Sequence, residues 1–293
     1  MPTNKASSAA QQYSPQEAYR YCLTLTQSHY ENFPVASLLL PRKLRQPITA
    51  IYAFARSADD FADEGELPPE QRLARLDDYA ELLHRIEHGE SVTAPIFIAL
   101  QDAIQSHGLP IELFHALLSA FRQDVTQTRY ATFNEVLDYC RRSANPVGRL
   151  LLHLNGEATE ENLALSDNIC TALQLINFLQ DIAQDFAENN RIYLPMDEMS
   201  AQGVTVSDIA ERRADMVMYR LFHNQLERAR ALLLLGSTLG ERLSGRFGLE
   251  IRLIIQGGLR ITDYLGAPDH RLYTRPRLSR WDYLRLFSRA LRR

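Results

Sequence analysis

The chain has 293 residues, 45% hydrophobic and 23% charged, with a formal net charge of -4. That size suits one large or two ordinary globular domains, and the acidic balance argues against a nucleic-acid binder. No apolar run approaches the ~18 residues of a membrane span, and Cys22, Cys140 and Cys170 are too widely spaced for a disulfide framework or paired zinc ligands, so a reducing cytoplasm is expected.

Residues 1–13 are polar, lack a signal-peptide core and are expected to be disordered. Ser14 to Glu17 reads as a capping box with proline at the first helical position, opening a helix to about His29 that Pro34 breaks. A helix from Pro41 to Glu64 follows, closed by Gly65 and the Pro68-Pro69 pair. Further helices are expected over Glu70–His88, Thr93–Ser106 and Pro110–Thr126. A second capping box, Thr132 to Glu135, opens a helix that carries Tyr139 and continues past Pro146 towards His153. Ser166 or Asp167 is expected to cap the next helix, Asn189-Asn190 to end it, and Arg191–Pro195 to be extended. Helical patterns then run from Val206 to about Leu235, Glu241 to Leu243 and Leu249 to Leu265. No convincing strand alternation, linker or fixed-period repeat interrupts them. One all-α domain of roughly ten helices, residues 14–293, accounts for this order.

In the arginine-rich tail, Leu278, Trp281, Leu284, Phe287 and Leu291 form an apolar stripe. It serves either as a last helix packed on the core or as a basic amphipathic contact with an anionic membrane surface.

Two of these helices carry the sharpest signal. Tyr52, Arg56, Asp59 and Asp63 stand at helical spacing on one face, among Ala53, Phe54, Ala55, Ala58 and Ala62. Gln174, Asn177, Asp181 and Asp185 form a second stripe on a helix that is otherwise apolar nearly all round and should be buried. A buried stripe ending in two carboxylates is costly unless something satisfies it. Two carboxylates about 6 Å apart repel by about 3 kcal/mol at an effective dielectric near 20. Divalent cations are the common remedy, and oxygen-only ligands point to Mg²⁺. Acidic rims over apolar walls then suggest a lipid-like substrate bearing a diphosphate. Against this stands the plain reading of solvated acidic helix faces, which one such pair alone would favour. Glu81–His84 and Glu112–His115 are both Glu-x-x-His pairs of the di-iron carboxylate kind, but their register places them away from the apolar faces of their helices. A non-catalytic helical scaffold is the remaining alternative.

These stripes, with Arg191-Ile-Tyr-Leu-Pro195, resemble the squalene and phytoene synthases, the head-to-head prenyl-diphosphate synthases. The resemblance runs from about His29 to Arg280. His29–Val35 and Tyr139–Gly148, with Arg142, Asn145 and Pro146, are most similar to the hydroxysqualene synthase branch of bacterial squalene and hopanoid biosynthesis. The resemblance implies an isoprenoid-synthase helical bundle with a central cavity. It implies Mg²⁺ ligation by Asp59, Asp63, Asp181 and Asp185, supported by Asn177, and diphosphate binding by Arg56 and Arg275. Tyr52, Tyr139 and Gln174 would line the cavity and Phe33 would help close it; for the three aromatics, plain core packing is an equal alternative. The implied reaction is ionisation of presqualene diphosphate, carbocation rearrangement and water capture to give hydroxysqualene and diphosphate. The close competitors are condensation of two farnesyl diphosphates by the partner enzyme of the squalene pathway, and a phytoene-type synthesis.

Overall fold

The computed structural model describes residues 13–27, 42–63 and 67–291. Phe33 and the His29–Val35 segment lie outside the described residues, as does the N-terminal stretch up to residue 12. Fourteen helices occur among the described residues: α1 (Pro15–Gln27), α2 (Arg42–Asp63), α3 (Pro69–Glu87), α4 (Pro95–His107), α5 (Glu112–Thr126), α6 (Phe133–Ser143), α7 (Asn145–Asn155), α8 (Glu160–Asn189), α9 (Met196–Ala201), α10 (Val206–Ala210), α11 (Met216–Gly236), α12 (Leu239–Arg242), α13 (Gly245–Leu265) and α14 (Arg280–Leu291). No strand is present among them; a single isolated parallel bridge joins Arg129 and Ile192. No helix there is long and apolar enough to cross a membrane.

Two helices organise the packing. α2 is flanked by α1, α4 and α5, while α8 lies against α6, α7, α11 and α13. The buried side chains form one continuous cluster from Ala18 to Leu272. α8 approaches α11 closely because Gly236 has no side chain: a Cβ there would lie 2.7 Å from the Leu165 carbonyl oxygen.

The sequence-based boundaries need five corrections. The helix count is higher than ten because α9, α10 and α12 are short pieces. α8 begins at Glu160 and not at Ser166: Thr159 accepts the Asn162 N–H as its cap, and Ser166 is buried inside the helix. The helix expected from Thr132 to His153 is two, parted at Ala144, with Pro146 in the first turn of α7. Its capping box is also displaced, since Glu135 accepts from the Ala131 N–H. The pattern from Val206 to Leu235 breaks at Arg212, whose φ is 54°, before Asp215 caps α11 by accepting from Val217 and Met218.

The tail stripe is likewise turned round. On α14 the inward residues are Asp282, Leu286 and Ala290, while Trp281, Leu284, Phe287 and Leu291 are exposed. Other expectations match. Ser14 and Glu17 cap α1 reciprocally, and Asn190, with φ 50°, turns the chain out of α8.

Candidate active site

Helical periodicity sets the α2 edge. Ala53, Phe54, Ala58 and Ala62 are buried behind it, while Tyr52, Arg56, Asp59 and Asp63 are half-buried. Arg56 reaches Asp59 at 3.4 Å and Asp60 at 2.6 Å. Burial, and then the neighbouring Asp63, pushes the Asp59 carboxyl up to about 7 against the pull of Arg56. Yet 39% of its side chain touches solvent, as suits a group enclosed by protein but lining water-accessible space. The Tyr52 phenol is also raised by burial, beside Arg56 and Asp59.

The α8 edge follows the same rule. Leu175, Ile176, Phe178, Leu179 and Ile182 are buried, whereas Gln174, Asp181 and Asp185 are half-buried and Asn177 is exposed. Arg275 Nε lies 3.1 Å from Asp181 Oδ1. That oxygen is buried and accepts no hydrogen bond. Burial raises the Asp181 carboxyl, with Arg275 opposing. Burial, then Asp181, lifts Asp185 to about 7, and Asp63 on α2 adds to the repulsion.

Arg191 draws the two edges together. Asn190 reverses the chain after α8, and Arg129 binds the Asn190 carbonyl and its side-chain Oδ1. The extended residues then run beside the α5–α6 connection, with the Ile192 N–H donating to Thr128 and the Met196 N–H to Tyr130. This returns the Arg191 guanidinium under α5. Buried to 6% exposure, it donates to Asp63 at 3.0 Å and to the Asp124 carbonyl at 2.8 Å, with the Asp124 carboxylate 3.8 Å away. Tyr139 donates its O–H to Asp124 at 2.8 Å. Burial raises Asp124 to about 7, chiefly opposed by Arg191.

Asp124, Arg191 and Tyr193 were absent from the residues singled out by spacing, although Arg191 and Tyr193 stood in the segment carrying the family resemblance. Asp124 did have a signal. It continues the apolar face of Leu117 and Phe121, where a carboxylate needs a partner.

Aromatic side chains wall the site. Tyr193 stacks on Phe178 with centroids 3.5 Å apart, and Tyr139 lies within 6.0 Å of Phe178, Tyr193 and Tyr130. A pocket beside Asp185 and Arg191 is lined by Leu175, Phe178, Leu179 and Ile182. Asn145 and Pro146 are buried, and Thr171 on α8 donates to Asn145 at 2.9 Å, so this pair ties α7 to α8.

The donor set fits a hard divalent cation. It offers carboxylate oxygens in protein surroundings that raise their affinity for positive charge, including the orphaned Asp181 Oδ1. Among the described residues, no three of the aspartates bring ligand oxygens within 4.8 Å of one another. Arg56, Arg191 and Arg275 supply the neutralising charge among them. The group that does converge to that distance, His84, Glu87 and His88, is exposed at the end of α3. Glu81 and Glu112 are exposed as expected from their register, which gives the di-iron alternative no buried ligand pair.

Residues 26–282 match the squalene/phytoene synthase family. A hydroxysqualene synthase of Zymomonas mobilis is 38% identical, over 82% of this chain and 80% of its own length. One from Rhodopseudomonas palustris is 37% identical over 84% of each chain. The crystal structure of squalene synthase HpnC from Alicyclobacillus acidocaldarius superposes with a TM-score of 0.79 at 41% identity, covering 85% of this chain and 93% of that one. The match over residues 26–282 and this extent of similarity place the chain, with its two aspartate helices, in the squalene/phytoene synthase family.

Proposed function

We propose that this enzyme is a hydroxysqualene synthase, converting presqualene diphosphate and water to hydroxysqualene and diphosphate. The observation that carries the reading is the meeting of the α2 and α8 aspartate edges around Arg191, next to an aromatic wall. Relatives of that name, similar over most of the chain, support the choice of reaction.

Asp59, Asp63, Asp181 and Asp185, with Asn177, would hold Mg²⁺. When bound, the metal neutralises the diphosphate and stabilises it as a leaving group. Arg56 and Arg275 bind the diphosphate oxygens. Each now pairs with a carboxylate of the neighbouring motif, so substrate entry exchanges carboxylate partners for phosphate ones. The C–O bond breaks with its electron pair leaving on the diphosphate. The cyclopropyl carbocation rearranges against Tyr139, Phe178 and Tyr193, whose ring faces favour positive charge. Water adds to the cation and loses a proton. Tyr52 and Gln174 line the hydrocarbon site in this reading.

The unpaired Cys22, Cys140 and Cys170 fit a reducing cytoplasm. The uncharged product belongs in lipid, so release at a membrane surface completes the proposal.

The test is product identity. Purified protein with Mg²⁺ is given presqualene diphosphate or, separately, farnesyl diphosphate. Hydroxysqualene from the first is the expected result. Condensation of the second without turnover of the first would assign the chain to the preceding step, and inactivity on both with condensation of geranylgeranyl diphosphate in a third assay would assign a phytoene-type synthesis.

A further inference from the structure

Beyond the catalytic reading, we infer that the outer face of α14 is a docking surface for anionic lipid bilayers. The helix is mounted on α13 by a narrow inward stripe of Asp282, Leu286 and Ala290. Asp282, 2% exposed, is the fixing point. It accepts from Ser279 at 2.5 Å, from Tyr264 at 2.8 Å and from Arg260 at 2.9 Å. Hydrogen bonds from Ser279 and Tyr264 hold its carboxyl well below the ordinary range. At the other end, Arg252 donates to the Ala290 carbonyl at 2.8 Å. The mount is thus polar and specific, and it leaves the large apolar side chains facing outward.

Those side chains share one outer face. At about 100° per residue, the order around the helix from the buried stripe is Tyr283, Phe287, Arg280, Leu291, Leu284, Ser288, Trp281, then Arg285 and Arg289. Tyr283, Leu284 and Trp281 are 62%, 63% and 74% exposed. Trp281 and Tyr283 stand in the first turns, where amphipathic rings suit the headgroup boundary. Arg280 stands near the middle of the apolar arc at its N-terminal end, and Arg285 and Arg289 border it. Among the described residues, no carboxylate pairs with Arg280, Arg285 or Arg289.

Charge identifies the occupant. The last 24 residues hold eight arginines and one aspartate, while the rest of the chain holds 24 basic and 35 acidic residues. An acidic protein with one basic, apolar helix face is complementary to an anionic bilayer. A second copy would offer that face its own arginines. The helix is also close to the site. Gln180 donates to the Pro276 carbonyl at 3.0 Å, and four residues separate Arg275, beside Asp181, from the start of α14. Lipid contact at α14 therefore orients the site's edge towards the bilayer that takes up the product.

Trp281 is the only tryptophan in the chain, so its fluorescence reports on this face directly. The full chain is mixed with vesicles of phosphatidylcholine alone, or with roughly one third phosphatidylglycerol, with and without brominated acyl chains. With anionic vesicles, a blue-shifted emission quenched by bromine is expected. Co-sedimentation should fall roughly fivefold for each of Arg285→Gln and Arg289→Gln, and be lost in a Leu284→Glu/Phe287→Glu double variant that keeps the wild-type melting temperature and turnover of soluble substrate. Absence of shift and quenching in the wild type would overturn the inference even if a variant fails to fold. So would equal binding to neutral vesicles, or a dimer that the double variant dissociates while the wild type ignores vesicles.

Discussion

Arg191 is the side chain on which the local electrostatics turn. It is a buried cation shared by Asp63 on α2 and Asp124 on α5, within the field of Asp59 and Asp185. Removing one member of a buried ion group leaves uncompensated charge, typically about 3–5 kcal/mol. Arg191→Met should therefore lower the urea-unfolding free energy by about that amount, and adding Asp124→Asn should recover part of it. Equal stability of Arg191→Met and wild type would remove Arg191 from this role. Protons make a second prediction. Asp59, Asp124 and Asp185 have carboxyls near 7 in the fold against a usual 3.8. The folded metal-free chain then holds more protons than the unfolded one between about pH 4 and about pH 7, so its stability falls as pH rises through that window. Thermal melts in chelator should drop between about pH 4 and about pH 7, and Mg²⁺ should restore the loss at the upper pH. A chelator-treated protein that gains stability with pH would contradict this. The four aspartates were legible because helical periodicity alone aligns them. Arg191, which pairs with Asp63, was not, because a turn at Asn190 and a bridge to the α5–α6 connection place it, and neither has a period.

At the scale of elements, α8 matters most, since it carries one aspartate edge and lies against six other helices. Its contact with α11 depends on Gly236. A Cβ there would meet Ile169 Cγ1 at 2.6 Å and the Leu165 carbonyl at 2.7 Å, and backbone does not yield cheaply. Gly236→Ala should cost about 1–3 kcal/mol of stability. By tilting α8 it should also weaken Mg²⁺-dependent turnover. A calorimetric melt identical to wild type would show that the two helices separate freely. Interiors of α2 and α8 could be read from the sequence because buried apolar positions repeat every three or four residues. Their neighbours were harder. Ser166 looks like a cap but is packed inside α8, where a Cβ on Gly148 would be 2.3 Å from its Oγ. The break between α10 and α11 falls on Arg212 and Arg213, which carry no glycine or proline signal. The α14 stripe was visible as a pattern, but its direction depended on Asp282, whose partners on α13 come from another part of the chain.

On the scale of the whole molecule, α2 and α8 come from distant parts of the sequence, and α7 packs against both. What makes them one site is the path of the chain from α8 back under α5. Mutating either aspartate pair should therefore weaken the same event, the joint binding of cations and diphosphate. Turnover of presqualene diphosphate should fall by at least about a hundredfold for Asp59→Asn and for Asp181→Asn, on the scale of a lost electrostatic stabiliser, with the helical content kept. The most direct test needs no turnover. Mn²⁺ binding in the presence of inorganic diphosphate is titrated by electron paramagnetic resonance in wild type, Asp59→Asn, Asp63→Asn, Asp181→Asn and Asp185→Asn. We predict that substitutions on both helices weaken diphosphate-dependent metal binding. Full binding in the α2 variants, with loss confined to those on α8, would contradict a site shared by the two edges.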